Sequence, residues 1–262
     1  MSTSGIRSRE TPFGRATLAL TKRWVVRLKR EKTGLFVALI QPAVWLILFG
    51  HLFSDAAVVT THSYIAFMTA GVVIMTVFNG ALNGGVELLF DKETGMLKRL
   101  VAAPIPPASI LASRFLFVVA LTGAQALIIL LIAMLLGVGI SSGVVGLGMI
   151  LVVGLFLGIG ITAVSMALAF GLYGHGQFFS IIEFVSLPLI FASNALVPLE
   201  KMPTWLQWIA HVNPMTYAIG SVRTLILEGF HLSVMASTAG VLLVFDVAMI
   251  LLCLWTMGRA LD

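Results

Sequence analysis

Charge is scarce in this chain: Asp, Glu, Lys and Arg make up 10% of its 262 residues, against 59% hydrophobic residues. Soluble domains carry roughly 25% charged residues. The composition therefore excludes a fold that hides its apolar surface in one water-bounded core, and lipid becomes the solvent for much of the chain. Cysteine is scarcer still. The single Cys253 excludes an intramolecular disulfide and, inside an apolar stretch, reads as a small packing residue. A phosphate-binding loop is missing as well. Lys22, Lys29, Lys32, Lys92, Lys98 and Lys201 follow Thr, Leu, Glu, Asp, Leu and Glu, so no Gly-Lys-Ser/Thr cradle exists. His51, His62, His175, His211 and His231 are scattered without metal-ligand spacing. No Gly-x-Ser-x-Gly elbow occurs. Catalytic residues, a resident metal and P-loop ATP hydrolysis are not expected on this chain.

What is present is long apolar runs, six of them. They predict transmembrane helices at Gly34–Phe53, Tyr64–Phe90, Ala108–Gly137, Gly143–Tyr173, Phe178–Val197 and Ser233–Met257, each near the roughly 20 residues that a hydrocarbon core requires. Barrel strands would be about 9–11 residues of alternating character, which these continuous runs are not. The fold class is all-α, a polytopic six-helix membrane protein. Residues 1–33 form a basic leader and residues 34–262 the membrane domain.

Charge sets the orientation. Nine Lys and Arg precede the first span (Arg7, Arg9, Arg15, Lys22, Arg23, Arg27, Lys29, Arg30, Lys32). Lys92, Lys98, Arg99 and Arg114 flank the second-to-third connection, and Arg259 is near the C-terminus. Only Lys201 and Arg223 fall on the other side. Fourteen against two places both termini in the cytoplasm of a cell-membrane protein. The net charge of +5 then reflects topology and anionic lipid, and nucleic acid is not an expected partner. A leader of this length ahead of a full span predicts an uncleaved anchor instead of a signal peptide. Within it, a helix over Phe13–Thr33 puts Phe13, Thr17, Leu20, Trp24 and Leu28 on one side, with Arg27 and Arg30 toward a flank. That pattern predicts an interfacial helix on the inner leaflet with Trp24 at headgroup depth. It serves as a topology anchor alone or also as part of a docking surface.

The connection after the second span, residues 91–107, is the most informative loop. Gly95 permits a turn, and Pro104, Pro106 and Pro107 prevent an uninterrupted helix back into the bilayer. Between them Met96, Leu97, Leu100 and Val101 share a face, with Lys98 and Arg99 on another. A short amphipathic helix of this kind suits a groove on a soluble protein. A solvated loop is the plainer alternative. The opposite connection, residues 198–232, is too polar to span, yet Trp205, Trp208 and Tyr217 keep it amphipathic. Pro203 and Pro214 can each open a helix, and Asn213 can cap the second. Two short re-entrant helices at the outer interface are expected, either gating a pathway or capping it passively.

Ionisable residues inside the spans are few. Asp246 falls mid-way along the sixth, where a charge costs on the order of 2.5–3.5 kcal/mol on insertion scales. It is either a buried structural hydrogen-bonding group or a transport residue. Glu183 interrupts the fifth span and is a candidate for lining the pathway. Gly80/Gly84 and Gly154/Gly158 read as close helix approaches, with Asn79, Asn83 and Gln125 as interhelical hydrogen-bonding amides.

Two stretches carry a family resemblance. Glu93-Thr94-Gly95-Met96-Leu97-Lys98-Arg99-Leu100 followed by Ala103-Pro104 resembles the E-x-G-x-L-x-x-L … P stretch after the second span of type-2 ATP-binding-cassette exporter permeases. Asn213-Pro214-Met215-Thr216-Tyr217 with Arg223 is similar to that family's N-P-x-x-Y … R signature. The daunorubicin-type drug-resistance permeases look nearest, and Gln41-Pro42 in the first span is a shared feature. The resemblance covers essentially the whole chain. It implies a homodimer or heterodimer of permeases on two ATP-binding-cassette ATPase subunits, with ATP and Mg bound by the partner and no cofactor here. It makes Asp91–Leu100 the coupling helix, the leader a connecting helix, and Asn213, Pro214, Tyr217 and Arg223 an outer gate. The expected function is outward movement of an amphiphilic drug, lipid or glycolipid. A secondary transporter and a non-transporting scaffold are the alternatives; the first would show an internal repeat, and none is evident.

Overall fold

The computed structural model describes residues 11–30, 32–52, 64–172 and 174–261. Arg7 and Arg9 of the leader, Phe53 and Tyr173 at two expected span ends, and His62 lie outside the described residues. Every regular element among those described is helical. The leader forms α1 (Phe13–Arg30), and the first apolar run forms α2 (Lys32–Leu52). The second run is α3 (Tyr64–Leu82), a 3-10 turn at Asn83–Gly85 and α4 (Val86–Glu93), followed by the short α5 (Met96–Ala102). Next come α6 (Pro107–Leu135), α7 (Gly143–Gly171) and α8 (His175–Phe191). The last elements are a 3-10 turn at Leu199–Lys201, α9 (Thr204–Val212), α10 (Pro214–Leu227) and α11 (Leu232–Leu261).

Among the described residues, four stretches are long and apolar enough to cross a membrane: Tyr64–Glu93, Pro107–Leu135, Gly143–Gly171 and Leu232–Ala260. The other two expected spans are shorter, Phe36–Leu48 within α2 and His175–Phe191. The fifth span therefore departs from the expected Phe178–Val197. It stops at Phe191, and the chain turns through Ala192–Ala195 because other elements hold that backbone. Asn194 gives its carbonyl to Arg223 Nη2 at 2.7 Å. Ala195 lies against Gly71 of α3, where an added Cβ would come 2.5 Å from the Ala195 carbonyl oxygen.

The centre of the molecule is α3, buried at almost every residue from Phe67 to Phe78 and surrounded by α2, α6, α7 and α10. Glycines set the spacing, as their four-residue pairing predicts. A Cβ on Gly80 would stand 2.6 Å from Thr122 Cγ2, one on Gly84 3.1 Å from Thr162 Cγ2, and Gly154 and Gly158 pack on Val77. By contrast α11 packs along α7 and α10 and leaves Val244, Leu251 and Trp255 exposed, an apolar face suited to lipid.

The 3-10 turn is a local break at which three backbone groups find side-chain partners. Ser165 of α7 donates its hydroxyl to Leu82 O and accepts from Gly85 N at 2.8 Å. Arg114 Nε donates to Gly84 O at 2.6 Å. A hydroxyl and a guanidinium reaching into the ladder are a recognised cause of such irregularity.

Candidate functional site

The corner between α4 and α5 is built by a left-handed residue. Gly95 has φ 71°, which lets α4 end and α5 restart in a different direction without side-chain strain. Three successive α4 side chains then tie this corner to three other helices. Asp91 is buried and ion-paired with Arg23 of α1. Lys92 Nζ reaches the C-terminus of α7, donating to Phe170 O at 2.7 Å, Leu172 O at 3.0 Å and Ala169 O at 3.5 Å. There its charge also opposes the negative end of the helix dipole. Glu93 Oε2 is 2.6 Å from His175 Nδ1, the first residue of α8.

Two expectations about this segment need correction. The helix after the turn is Met96–Ala102, whereas Asp91–Glu93 belong to α4. Its apolar face is not free for a partner's groove: Leu97 is 7% exposed within the core, and Leu100 and Val101 pack half-buried against it. Thr94, Met96, Lys98 and Arg99 are exposed, as are Glu93 and Ala102 on either side of them. The inward face has first claim because a two-residue link to α4 (Thr94 and Gly95) and a four-residue link to α6 (103–106) cannot carry α5 away from the α6 end it closes.

A second correction concerns the leader helix. Thr17 and Trp24 are buried, and Leu20 and Leu28 are half-buried against the core, so the apolar stripe lies against α6. Trp24 is 4% exposed, with its ring centroid 6.4 Å from that of Phe117, so its ring packs on α6 instead of facing outward as an interfacial anchor would. The guanidiniums of Arg23 and Arg114 each stand 4.6 Å from the Trp24 ring centroid. Arg27 pairs with Glu87 of α4 at 2.5 Å, while Arg30 is exposed. Arg114, which reads from sequence as a loop charge, is a buried residue two turns inside α6. Its place among apolar neighbours after Pro107 was the available signal. Lys92 gave no comparable signal.

At the opposite end Asn213 caps α10 by accepting from Met215 N at 3.0 Å, as expected, and donates Nδ2 to Leu189 O of α8 at 2.7 Å. Pro214 is the first residue of α10, and Tyr217 donates its hydroxyl to His211 O at 2.9 Å. Arg223 lies 3.6 Å from the Phe67 ring centroid and holds the Asn194 carbonyl. These four residues thus fasten α9 and α10 to α8, α3 and the turn after α8. Trp205 and Trp208 remain exposed on α9.

Between α2, α3 and α8 lies a cleft of about 490 Å³. Gln41 and Trp45 line it from α2, Thr76 and Asn79 from α3, and Glu183 and Ser186 from α8. Each pair repeats at helical spacing, so one polar stripe per helix converges there. Met75, Phe179 and Ile190 supply apolar wall, the mixture expected of a small-molecule site. Asp246 is elsewhere: it is buried where α11 crosses α7, so close to Gly160 that any side chain there would strike it. That placement favours its structural reading. Cys253 is likewise buried, as expected of a packing residue. Among the described residues, no three His, Cys, Asp or Glu side chains group as a metal site requires.

Known proteins with this pattern are membrane permeases. The profile of the ABC-2 type transporter family matches residues 15–227, from α1 through α10. The chain is 39% identical over 209 residues to ycf38 of Porphyra purpurea, whose name describes a transport permease; the match covers 78% of this chain and 72% of ycf38. It is 28% identical over 246 residues to DrrC of Mycobacterium tuberculosis (strain ATCC 25618 / H37Rv), named for a doxorubicin resistance ABC transporter permease, covering 88% and 86% of the two chains. The daunorubicin resistance ABC transporter permease protein DrrB1 of Streptomyces coeruleorubidus is 27% identical over 215 residues, covering 80% and 74%. With a match that takes in α1, the α4–α5 corner, the cleft and the Asn213 cap alike, this chain belongs to the ABC-2 type transporter family, as a multi-pass membrane permease subunit that is not itself catalytic.

Proposed function

We propose that this permease moves an amphiphilic drug, lipid or glycolipid outward across the cell membrane, driven by a separate ATP-binding-cassette ATPase seated on α5. Two permease chains, identical or paired with a second kind, stand on two ATPase subunits, which bind ATP and Mg. The α1 and α5 end faces the cytoplasm, all six apolar stretches cross, and α9 and α10 close the outer end.

The observation that carries this reading is the α4–α5 corner. Its exposed Thr94, Met96, Lys98 and Arg99 offer a partner a charged surface, while Leu97 roots α5 in the core. Displacement of α5 would act through Asp91 on α1, through Lys92 on α7 and through Glu93 on α8. Because α8 carries Glu183 and Ser186, the same displacement would reshape the cleft, which we assign to the substrate pathway. The drug-resistance relatives support the amphiphilic substrate class.

The test is a mild-detergent purification of tagged chain from its native membranes, with mass spectrometry and an ATPase assay. The expected result is a P-loop ATPase in roughly equal amount, lost when Lys98 and Arg99 are reversed in charge. Intact permease recovered repeatedly without any ATPase would overturn the reading.

A further inference from the structure

We propose that a second cavity, between α1, α4 and α6, is a binding site for the phosphate headgroup of an anionic membrane lipid. It measures about 310 Å³. Arg27, Glu87 and Arg114 line one end; Gly80, Val118 and Leu121 line it farther along α3 and α6. Seven residues of helix separate Arg114 from Leu121, roughly 10 Å of rise. A charged end and an apolar wall thus follow one another as headgroup and acyl chain do in a leaflet.

The cavity is marked as a ligand site by an excess of buried donors. Arg114 is 4% exposed; its Nε is used by Gly84, but its Nη1 has no hydrogen-bond partner among the described residues. Trp24, which also lines the cavity, is as deeply buried, and its indole Nε1–H has no acceptor among the described residues. A third unmatched N–H belongs to Arg23 Nη1, on the guanidinium that lies over the Trp24 ring. Buried polar groups in folded proteins are almost always paired, so the two unmatched donors that line the cavity, Arg114 Nη1 and Trp24 Nε1, call for a molecule that accepts.

Charge points the same way. Among the described side chains of the cluster, Arg23, Arg27 and Arg114 meet two carboxylates, Glu87 and Asp91. Arg114 is the member of this trio without an ion pair among the described residues. A phosphate ester is negative and offers acceptor oxygens only, and guanidinium is the side chain best matched to it. The apolar wall selects the source: free phosphate would leave Val118 and Leu121 uncovered, whereas a lipid covers them with chain. This cavity is separate from the cleft assigned to the pathway, so the inference stands whatever the cargo is.

The test uses the full-length chain purified in mild detergent, with retained lipid counted by native mass spectrometry after exposure to phosphatidylglycerol, phosphatidylcholine or inorganic phosphate. Phosphatidylglycerol is expected to be retained about tenfold over phosphatidylcholine, because both offer the phosphate but the choline cation is repelled by the arginines around it. Arg114→Gln should remove most of that preference. Trp24→Phe, which keeps an aromatic ring and removes the indole N–H, should weaken retention about tenfold, as for one hydrogen bond to a charged acceptor. Arg259→Gln, whose charge lies over Trp255 outside the cluster, should change nothing. Equal retention of the two lipids, or wild-type retention by Trp24→Phe, overturns the proposal. If Arg114→Gln does not reach the membrane, Trp24→Phe decides alone. Displacement of the lipid by inorganic phosphate assigns the cavity to a free anion and overturns the lipid.

Discussion

Replacing Lys92 with Met keeps the length and apolar stem of the side chain and deletes only its ammonium group. The loss is local and countable. Bonds to Phe170 O and Leu172 O, at 2.7 and 3.0 Å, disappear; the contact to Ala169 O at 3.5 Å is too long to weigh much. Hydrogen bonds to charged groups contribute about 1.5–3 kcal/mol each when buried, and a cation at a helix C-terminus adds about 0.3–1 kcal/mol. Lys92 is only half-buried, so water replaces part of this. A net loss of about 2 kcal/mol follows, which for a chain of this size is a melting shift of about 4–8 °C. Thermal denaturation in one detergent at fixed lipid content measures it. Hydrogen exchange should quicken at Phe170–Leu172, where α7 would lose its cap, and Lys92→Arg should recover part of both effects. A melting point within about 1 °C of wild type, with unchanged exchange at the α7 end, would refute the reasoning.

Four further outcomes are expected. Glu183→Gln, which removes charge from the cleft without removing volume, should lower ATP-driven export about tenfold at normal membrane abundance; unchanged export would remove Glu183 from the pathway. Joint Lys98→Glu and Arg99→Glu should weaken ATPase association about tenfold or more while membrane insertion stays normal, as measured by co-purification against total permease. Leu97→Asp should instead lower the amount of folded permease by placing an unpaired carboxylate in the core, read as loss of monodisperse protein on size exclusion. Gly160→Ala should destabilise by about 1–3 kcal/mol, because its methyl group would collide with Asp246 and Phe245; a melting point equal to wild type would count against the close α7–α11 crossing.

The sequence revealed whatever rests on backbone preference. Gly95 marked the turn, Pro107 and Pro214 marked two helix starts, Asn213 marked a cap, and paired glycines marked close approaches. Such residues act within a few positions of themselves, so their meaning is local. What a helix face meets is decided by other elements, and periodicity carries no record of it. The stripes holding Trp24 and Leu97 were legible as apolar, but α6 and the core cover them instead of headgroups or an ATPase groove. Arg114 was counted with loop charges for a related reason: the sequence shows its distance from Pro107, not the carbonyl that Gly84 presents to it. Lys92 served orientation only, since the α7 end it caps is nearly eighty residues away in sequence.

The 3-10 turn at Asn83–Gly85 also changes the angular phase of the chain. Three residues turning about 120° each instead of 100° rotate everything beyond them by about 60° relative to a continuous α-helix. Asn79, eight positions before Glu87, lines the cleft facing α2 and α8, while Glu87 pairs with Arg27 of α1. The added rotation widens the roughly 80° that eight α-helical positions already put between them, so the two ends of one rod face different neighbours. Straightening the turn, as a loss of the Ser165 hydroxyl would encourage, would swing Glu87 and Asp91 together away from their arginines. The leader helix and the cleft are thus kept in register by the twist stored in three residues.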